Sequence, residues 1–182
     1  QTLTVCEPVR APWYQWPLSI KPLWFHAGKR LNGTGSSIFT FGNLSVWWGG
    51  FAAMLVLAVK WLGQRVQLDR VPVLRGLNTD KSDMRPGLIL IAYLAQYLPW
   101  MLVPRGTYIY HYFPSVPFIA LGAALVLCYL WDRREKLARR VTIIYLVICL
   151  LFFVAFFPYA SGLRVPAWWL SALQWFPNWL YF

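Results

Sequence analysis

The sequence predicts an all-α fold: a multi-pass transmembrane bundle of four spanning helices, closed by a short interfacial C-terminal helix. Three observations lead there. First, 59% of the 182 residues are hydrophobic and only 13% are charged, where soluble domains carry about a quarter charged residues. A globule of this size has too little polar surface to shield so much apolar side chain from water. Second, the apolar residues collect into four runs long enough to cross a bilayer, which takes about 17–25 residues. Third, those runs are continuous. A membrane β-barrel, the other architecture that satisfies its backbone in lipid, would show short alternating segments instead. Disorder is ruled out by the hydrophobicity. Cys6, Cys128 and Cys149 are too few for a disulfide scaffold, and the last two sit inside apolar runs as small hydrophobes.

Residues 1–43 read as an extracytoplasmic or luminal segment, aromatic first and then rich in Gly and Ser. The chain opens at Gln1 without a Met or a signal-peptide pattern, so the expectation is a fragment. In Ala11–His26, Pro12, Pro17 and Pro22 exclude an ordinary helix interior. The rings of Trp13, Tyr14, Trp16 and Trp24 either bind an isoprenoid or a sugar, or form an interfacial belt. Leu31–Asn43 is expected to be a loop. Asn32-Gly33-Thr34 and Asn43-Leu44-Ser45 fit the glycosylation acceptor pattern, with Asn43 too near the membrane to serve.

The spans are expected at Leu44–Leu62, Gly87–Val103, Phe113–Trp131 and Val141–Tyr159, within a membrane region of residues 44–159. Charge orients them. Gly63–Pro86 carries Arg65, Arg70, Arg75, Lys81 and Arg85, and Asp132–Arg140 carries Arg133, Arg134, Lys136, Arg139 and Arg140. These loops are expected on the cytoplasmic side. The N-terminal segment holds Arg10, Lys21, Lys29 and Arg30 spread over a longer stretch, and the other outer segments hold only Arg105 and Arg164. Lys60, near the cytoplasmic end of the first span, is expected to snorkel. Gln96 in the second span is expected to act as packing glue, with a substrate path as the alternative, and Pro99 to kink the outer end of that helix.

The net charge of +11 raises nucleic-acid binding, but charged flanks serve topology and no nucleic-acid motif accompanies them. In the tail, residues 160–182, Val165, Trp168, Trp169, Ala172, Leu173 and Phe176 share one helical face, which predicts an interfacial anchor. The outer loop Pro104–Phe118 is richer in chemistry. Arg105 can hold a phosphate by a bidentate contact, and His111 can donate to phosphate or carry a proton. Tyr108, Tyr110 and Tyr112 surround them, and the same residues would also serve as one more aromatic belt.

Asp69, Asp80, Asp83, Asp132 and Glu135 all fall in the expected cytoplasmic loops, leaving Glu7 alone outside. A transferase at the outer face wants a carboxylate base, so no catalytic residue is assigned in this chain. Metal-ligand spacing, a Ser-His-Asp arrangement and a glycine-rich phosphate loop are all lacking from the sequence, so neither metal nor cofactor is expected.

The segments PWYQWPL, KPLWF, YLPWMLVPR, YIYHYFPSVPF and VPAWWLSALQWFPNW follow one another in the chain. Together they resemble the C-terminal membrane region of the protein O-mannosyltransferase family, from about Trp13 to the end. The resemblance implies a multi-span glycosyltransferase that moves mannose from a polyprenyl or dolichyl phosphate carrier to Ser or Thr of acceptor proteins, with inversion and without a nucleotide-sugar site. The family's acidic pair lies in a first outer loop, which has no counterpart here. The implied carrier or acceptor cleft is lined by Arg105, Tyr110, His111 and Tyr112, supported by Trp13, Tyr14 and Trp16. The lean form favours a bacterial plasma membrane, with the endoplasmic reticulum for a eukaryotic member. The competing readings are a lipid-carrier sugar transferase with a lipid or glycan acceptor, such as an aminoarabinose transferase, and a non-catalytic membrane subunit or transporter.

Overall fold

The computed structural model describes residues 11–28, 33–40, 42–66 and 83–175. They are mainly helical. Helices α1 (Leu44–Val66), α2 (Arg85–Tyr97), α3 (Val116–Asp132) and α4 (Lys136–Ser161) carry the fold. Three helical runs are long and apolar enough to cross a membrane: Leu44–Gly63, Ile109–Asp132 and Lys136–Ser161. They contain the expected first, third and fourth spans.

Local chemistry sets each boundary. Asn43 caps α1: its Oδ1 accepts from the Ser45 amide at 3.1 Å and the Ser45 hydroxyl at 2.6 Å. Its Nδ2 donates to the Cys149 carbonyl at 2.7 Å, so the second acceptor-pattern Asn is committed to helix packing. Asn32 lies outside the described residues. Pro86, placed where its missing N–H costs nothing, starts α2. Pro99 cannot continue the α-helical ladder, and Leu98–Leu102 tightens into a 3-10 turn. A second 3-10 segment, Ile109–Ser115, feeds directly into α3, so this helical run begins before the expected Phe113. Gly162, at φ 71°, ends α4 in the left-handed region that a glycine tolerates.

Helices α1 and α3 pack closest. A Cβ on Gly50 would stand 2.9 Å from the Ile119 carbonyl oxygen, and one on Gly122 would stand 3.2 Å from the Met54 sulfur. Small residues here let two backbones approach, the usual device between helices in lipid. Met54, Leu57, Leu90, Ile119 and Leu125 fill the core between α1, α2 and α3.

The structure departs from an all-α reading. Strands β1 (Leu23–Ala27) and β3 (Ser37–Thr40) form one antiparallel pair, and β2 (Thr34–Gly35) pairs with β4 (Val165–Pro166). The expected Gly/Ser loop is therefore partly strand. Ser37 and Phe39 are buried while Ile38 and Thr40 are half-buried, the period of two that a strand imposes. In the tail, α5 (Ala167–Ala172) is a helix of 6 residues. Its buried side chain is Leu170, packed on Phe39, Phe156 and Tyr159, while Trp168 is 65% exposed. The expected apolar face is thus rotated, because Trp169 turns inward to donate to the Ala155 carbonyl at 3.1 Å. Phe176 lies outside the described residues.

Two further expectations change. Gln96 makes no hydrogen bond among the described residues, and its neighbours Tyr93 and Tyr97 do the polar cross-bracing instead. Lys60 does not snorkel. It is buried, with its ammonium 3.3 Å from the centre of the Tyr129 ring. The Tyr129 hydroxyl donates to Asp83 Oδ2, and Arg85 donates to both Asp83 oxygens at 2.8 and 3.1 Å. This cluster joins α1, α3 and the start of α2. The rest of the basic segment 67–82 lies outside the described residues.

Two outcomes follow. Gly50→Leu should destabilise the bundle by about 1–3 kcal/mol, the range for overpacking, whereas Ala52→Leu on the exposed side of α1 should not; detergent melts of both variants check this. The Arg85 guanidinium holds the Asp83 carboxyl well below the usual carboxylate range, helped by the Tyr129 hydroxyl against the opposing effect of desolvation. A depressed folded-state pKa stabilises fully above the unfolded value of about 3.9 and is lost as pH falls below it. Melting midpoints taken down an acid series should therefore fall less steeply for Asp83→Asn than for the unchanged chain; parallel curves would contradict the contact.

Candidate functional site at the aromatic end of the bundle

The start of α1, the end of α2, the start of α3 and the end of α4 meet at one end of the bundle. The N-terminal segment lies across it. Trp13–Leu18 forms a 3-10 helix rather than an α-helix because Pro17 interrupts the ladder. Three of its carbonyls then serve as acceptors for the helix side chains. Trp47 Nε1 donates to the Trp16 carbonyl at 2.8 Å, Trp48 Nε1 to the Leu18 carbonyl at 3.0 Å, and the Tyr97 hydroxyl to the Trp13 carbonyl at 2.9 Å. Trp16 Nε1 donates back to the Ala11 carbonyl at 2.8 Å. Ala11 and Thr107 pair through the Ala11 amide and the Thr107 hydroxyl, each at 3.0 Å, which pins the outer loop to the same segment.

A run of rings rests on this frame. His111 stacks on Trp16 at 6.0 Å and lies 4.3 Å from Trp100 and 4.2 Å from Tyr110, ring centre to ring centre. Tyr108 stacks in turn on Tyr110 at 5.6 Å. Beneath them the hydroxyls of Tyr93 and Tyr112 share a hydrogen bond of 3.0 Å.

The imidazole is oriented by backbone. His111 Nδ1 accepts from the Tyr108 amide at 3.1 Å and lies 2.9 Å from the Tyr108 carbonyl. Nδ1 is thereby engaged by the Tyr108 backbone, and Nε2, which has no partner among the described residues, is the ring nitrogen left to meet a ligand. Arg105, on the loop that leads into this stack, is exposed and makes no ion pair among the described residues. The described acids, Asp83, Asp132 and Glu135, all lie at the opposite end. An unpaired guanidinium and an oriented imidazole without carboxylates suit an anionic oxygen ligand such as phosphate. Among the described residues no group of three His, Cys, Asp or Glu could hold a metal ion.

The residues singled out in the sequence divide into two sets. Arg105, Tyr110 and Tyr14 are exposed, the last at 60%, and His111 is half-buried. Trp16 and Tyr112 are wholly buried and Trp13 is half-buried. Trp16 and Tyr112 thus form the packed floor of the arrangement rather than its lining, because their polar atoms are already spent on Ala11 and Tyr93. Sequence reasoning missed Trp100. The signal was Pro99: the 3-10 turn it imposes carries Trp100 against His111.

The family model described as the C-terminal four TMM region of protein-O-mannosyltransferase matches residues 1–179. The chain belongs to this family. It is 25% identical to a polyprenol-phosphate-mannose–protein mannosyltransferase of Corynebacterium glutamicum, over 98% of this chain and 34% of that one. It is 28% identical to the protein of the same description in Mycolicibacterium smegmatis, over 97% of this chain and 34% of that one. Against dolichyl-phosphate-mannose–protein mannosyltransferase 5 of Saccharomyces cerevisiae it is 26% identical, over 90% of this chain and 22% of the relative. The chain spans about a third of the length of the bacterial relatives it matches. Its fold matches a chain of the Saccharomyces cerevisiae protein O-mannosyltransferase Pmt1–Pmt2 complex bound to the sugar donor. The TM-score is 0.74 at 21% identity, over 95% of this chain and 24% of that one. Fold and family together make it part of a membrane protein.

The floor is testable by a double-mutant cycle. Tyr112→Phe and Tyr93→Phe should each cost about 1 kcal/mol of stability, and the pair together should cost clearly less than the sum. Additive losses in detergent melts would show that the two hydroxyls do not share a bond.

Proposed function

We propose that this chain is the C-terminal part of a membrane glycosyltransferase that transfers mannose from a polyprenyl or dolichyl phosphate carrier to Ser or Thr of proteins at the outer or luminal face. The observation that carries the reading is the exposed Arg105 guanidinium, without an ion pair among the described residues, on the loop that leads into the ring stack of His111, whose Nδ1 is held by backbone and whose Nε2 is open. Family membership supports it.

In this reading the acceptor hydroxyl oxygen attacks the anomeric carbon of mannose as the bond from that carbon to the carrier phosphate breaks. Negative charge develops on the departing phosphate. Arg105 and His111 Nε2–H stabilise that charge, which is stronger in the transition state than before it. The hydroxyl proton needs a carboxylate acceptor. Among the described residues no acid lies at this end, and none of them is assigned as the base. Tyr110 and Tyr14 offer exposed rings to the sugar or the first isoprene units, on the floor that Trp13, Trp16 and Tyr112 build. Arg85–Leu102, an α-helix extended by a 3-10 turn, is the remaining span of a four-span region. The basic ends face the cytoplasm by charge bias. A bacterial plasma membrane fits relatives such as that of Corynebacterium glutamicum.

In the complete enzyme, Arg105→Ala and His111→Ala should each lower transfer from carrier to acceptor peptide by about tenfold or more, since a hydrogen bond to a charged group contributes about 1.5–3 kcal/mol. The melting midpoint of Arg105→Ala should stay close to that of the unchanged enzyme, because this side chain is exposed; His111→Ala also gives up ring contacts to Trp16 and Trp100, so its transfer is measured well below its own melting midpoint. Undiminished transfer in both variants would overturn the assignment.

A further inference from the structure

The opposite end of the bundle carries a second unbalanced charge cluster. The turn between α3 and α4 places Arg133, Arg134, Lys136, Arg139 and Arg140 within a few residues, against Asp132 and Glu135. All seven are exposed. Arg134, Lys136, Arg139 and Arg140 form no ion pair among the described residues; Arg139 lies instead over the Trp131 ring at 5.5 Å. Arg85, by contrast, is neutralised by its contact with Asp83. The α3–α4 cluster is therefore unfavourable on its own. Like charges crowd together, and at the positive end of the α4 dipole Glu135 at the N-cap faces Lys136, Arg139 and Arg140 in the turn that follows.

What borders the cluster is apolar and exposed. Leu137, Val141, Ile144, Ile148 and Leu151 recur at helical spacing along one face of α4, between 39% exposed at Ile148 and 70% at Leu137. Trp131, 45% exposed, stands at the junction, where an indole favours the headgroup level. Cations therefore sit above a hydrocarbon-compatible stripe that begins directly beneath them. A soluble anion would use only the first feature; a phospholipid uses both.

We propose that the α3–α4 turn is a binding site for an anionic phospholipid. The headgroup phosphate is held by Arg134 and Arg140 with support from Lys136 and Arg139, and an acyl chain lies along the Leu137–Leu151 stripe. The site is remote from Arg105 and His111 and does not depend on the transfer chemistry.

The test uses the complete protein in phosphatidylcholine nanodiscs with a minority of spin-labelled lipid. Spin-labelled phosphatidylglycerol should associate about fivefold more strongly than spin-labelled phosphatidylcholine at low salt, as about 1 kcal/mol for one cation near the surface implies. The preference should shrink as sodium chloride is raised. It should fall to near equality in Arg134→Gln/Arg140→Gln, which keeps three of the five cations and with them the orientation. Inorganic phosphate should displace no more label than chloride at equal ionic strength. Equal association of the two labels in the unchanged protein would overturn the proposal. So would a preference that survives in the folded double variant, or a specific displacement by inorganic phosphate, which would mark a soluble-anion site. The salt series on the unchanged protein reads the same site without any variant.

Discussion

Trp16 is the residue on which the aromatic end depends. Its indole is wholly buried, its Nε1 donates to the Ala11 carbonyl, and its own carbonyl accepts from Trp47. The reason is a constraint on polar groups in an apolar setting: an indole or phenol that enters the core must find an acceptor there. Helices spend their carbonyls on themselves and have few to offer. The 3-10 segment Trp13–Leu18 supplies three, to Trp47, Trp48 and Tyr97. One non-α segment thus satisfies the aromatic ends of α1 and α2 and, through Ala11, the loop that carries Arg105. The position of His111 follows, since Trp16 forms one wall of its stack.

Charge divides the molecule along its length. At one end, Asp83 binds Arg85 and Tyr129, and Tyr129 covers the buried ammonium of Lys60. There the acid closes a local cluster around Arg85, while the cations of the α3–α4 turn stay exposed. At the aromatic end the described residues include Arg105 but no acid, so the cation stays available. The same shortage of acids that marks the composition therefore acts as an electrostatic bias toward anionic ligands at that face. It also means that a proton acceptor must come from outside this set of residues.

Much of the helical frame was legible in the sequence, because a continuous apolar run and a Pro are local signals. The runs around Leu44, Phe113 and Val141 are helices, and Pro99 marks the change from α-helix to 3-10 turn. The strands were not legible. Thr34–Gly35 pairs with Val165–Pro166 from the far end of the chain, and no local pattern announces a partner that distant. Burial of individual rings was equally hidden. Trp16 and Tyr110 look alike in composition, and only the packing shows that one is floor and the other surface. Lys60 misled for a related reason: a lysine near a helix end ordinarily reaches for water, but Tyr129 offers its ring face within the core. The cluster of Arg105 and His111 was visible as a sequence neighbourhood. The orientation of the imidazole by the Tyr108 backbone was not, since it depends on the 3-10 geometry of Ile109–Ser115.

The most direct measurement is photolabelling of the complete enzyme with a polyprenyl phosphate that carries a diazirine near the phosphate, followed by peptide mapping. If the exposed face of the ring stack holds the carrier headgroup, adducts concentrate on Arg105–His111 and are suppressed by unlabelled carrier. Adducts that spare this segment and fall on α4 or α5 instead would contradict the account.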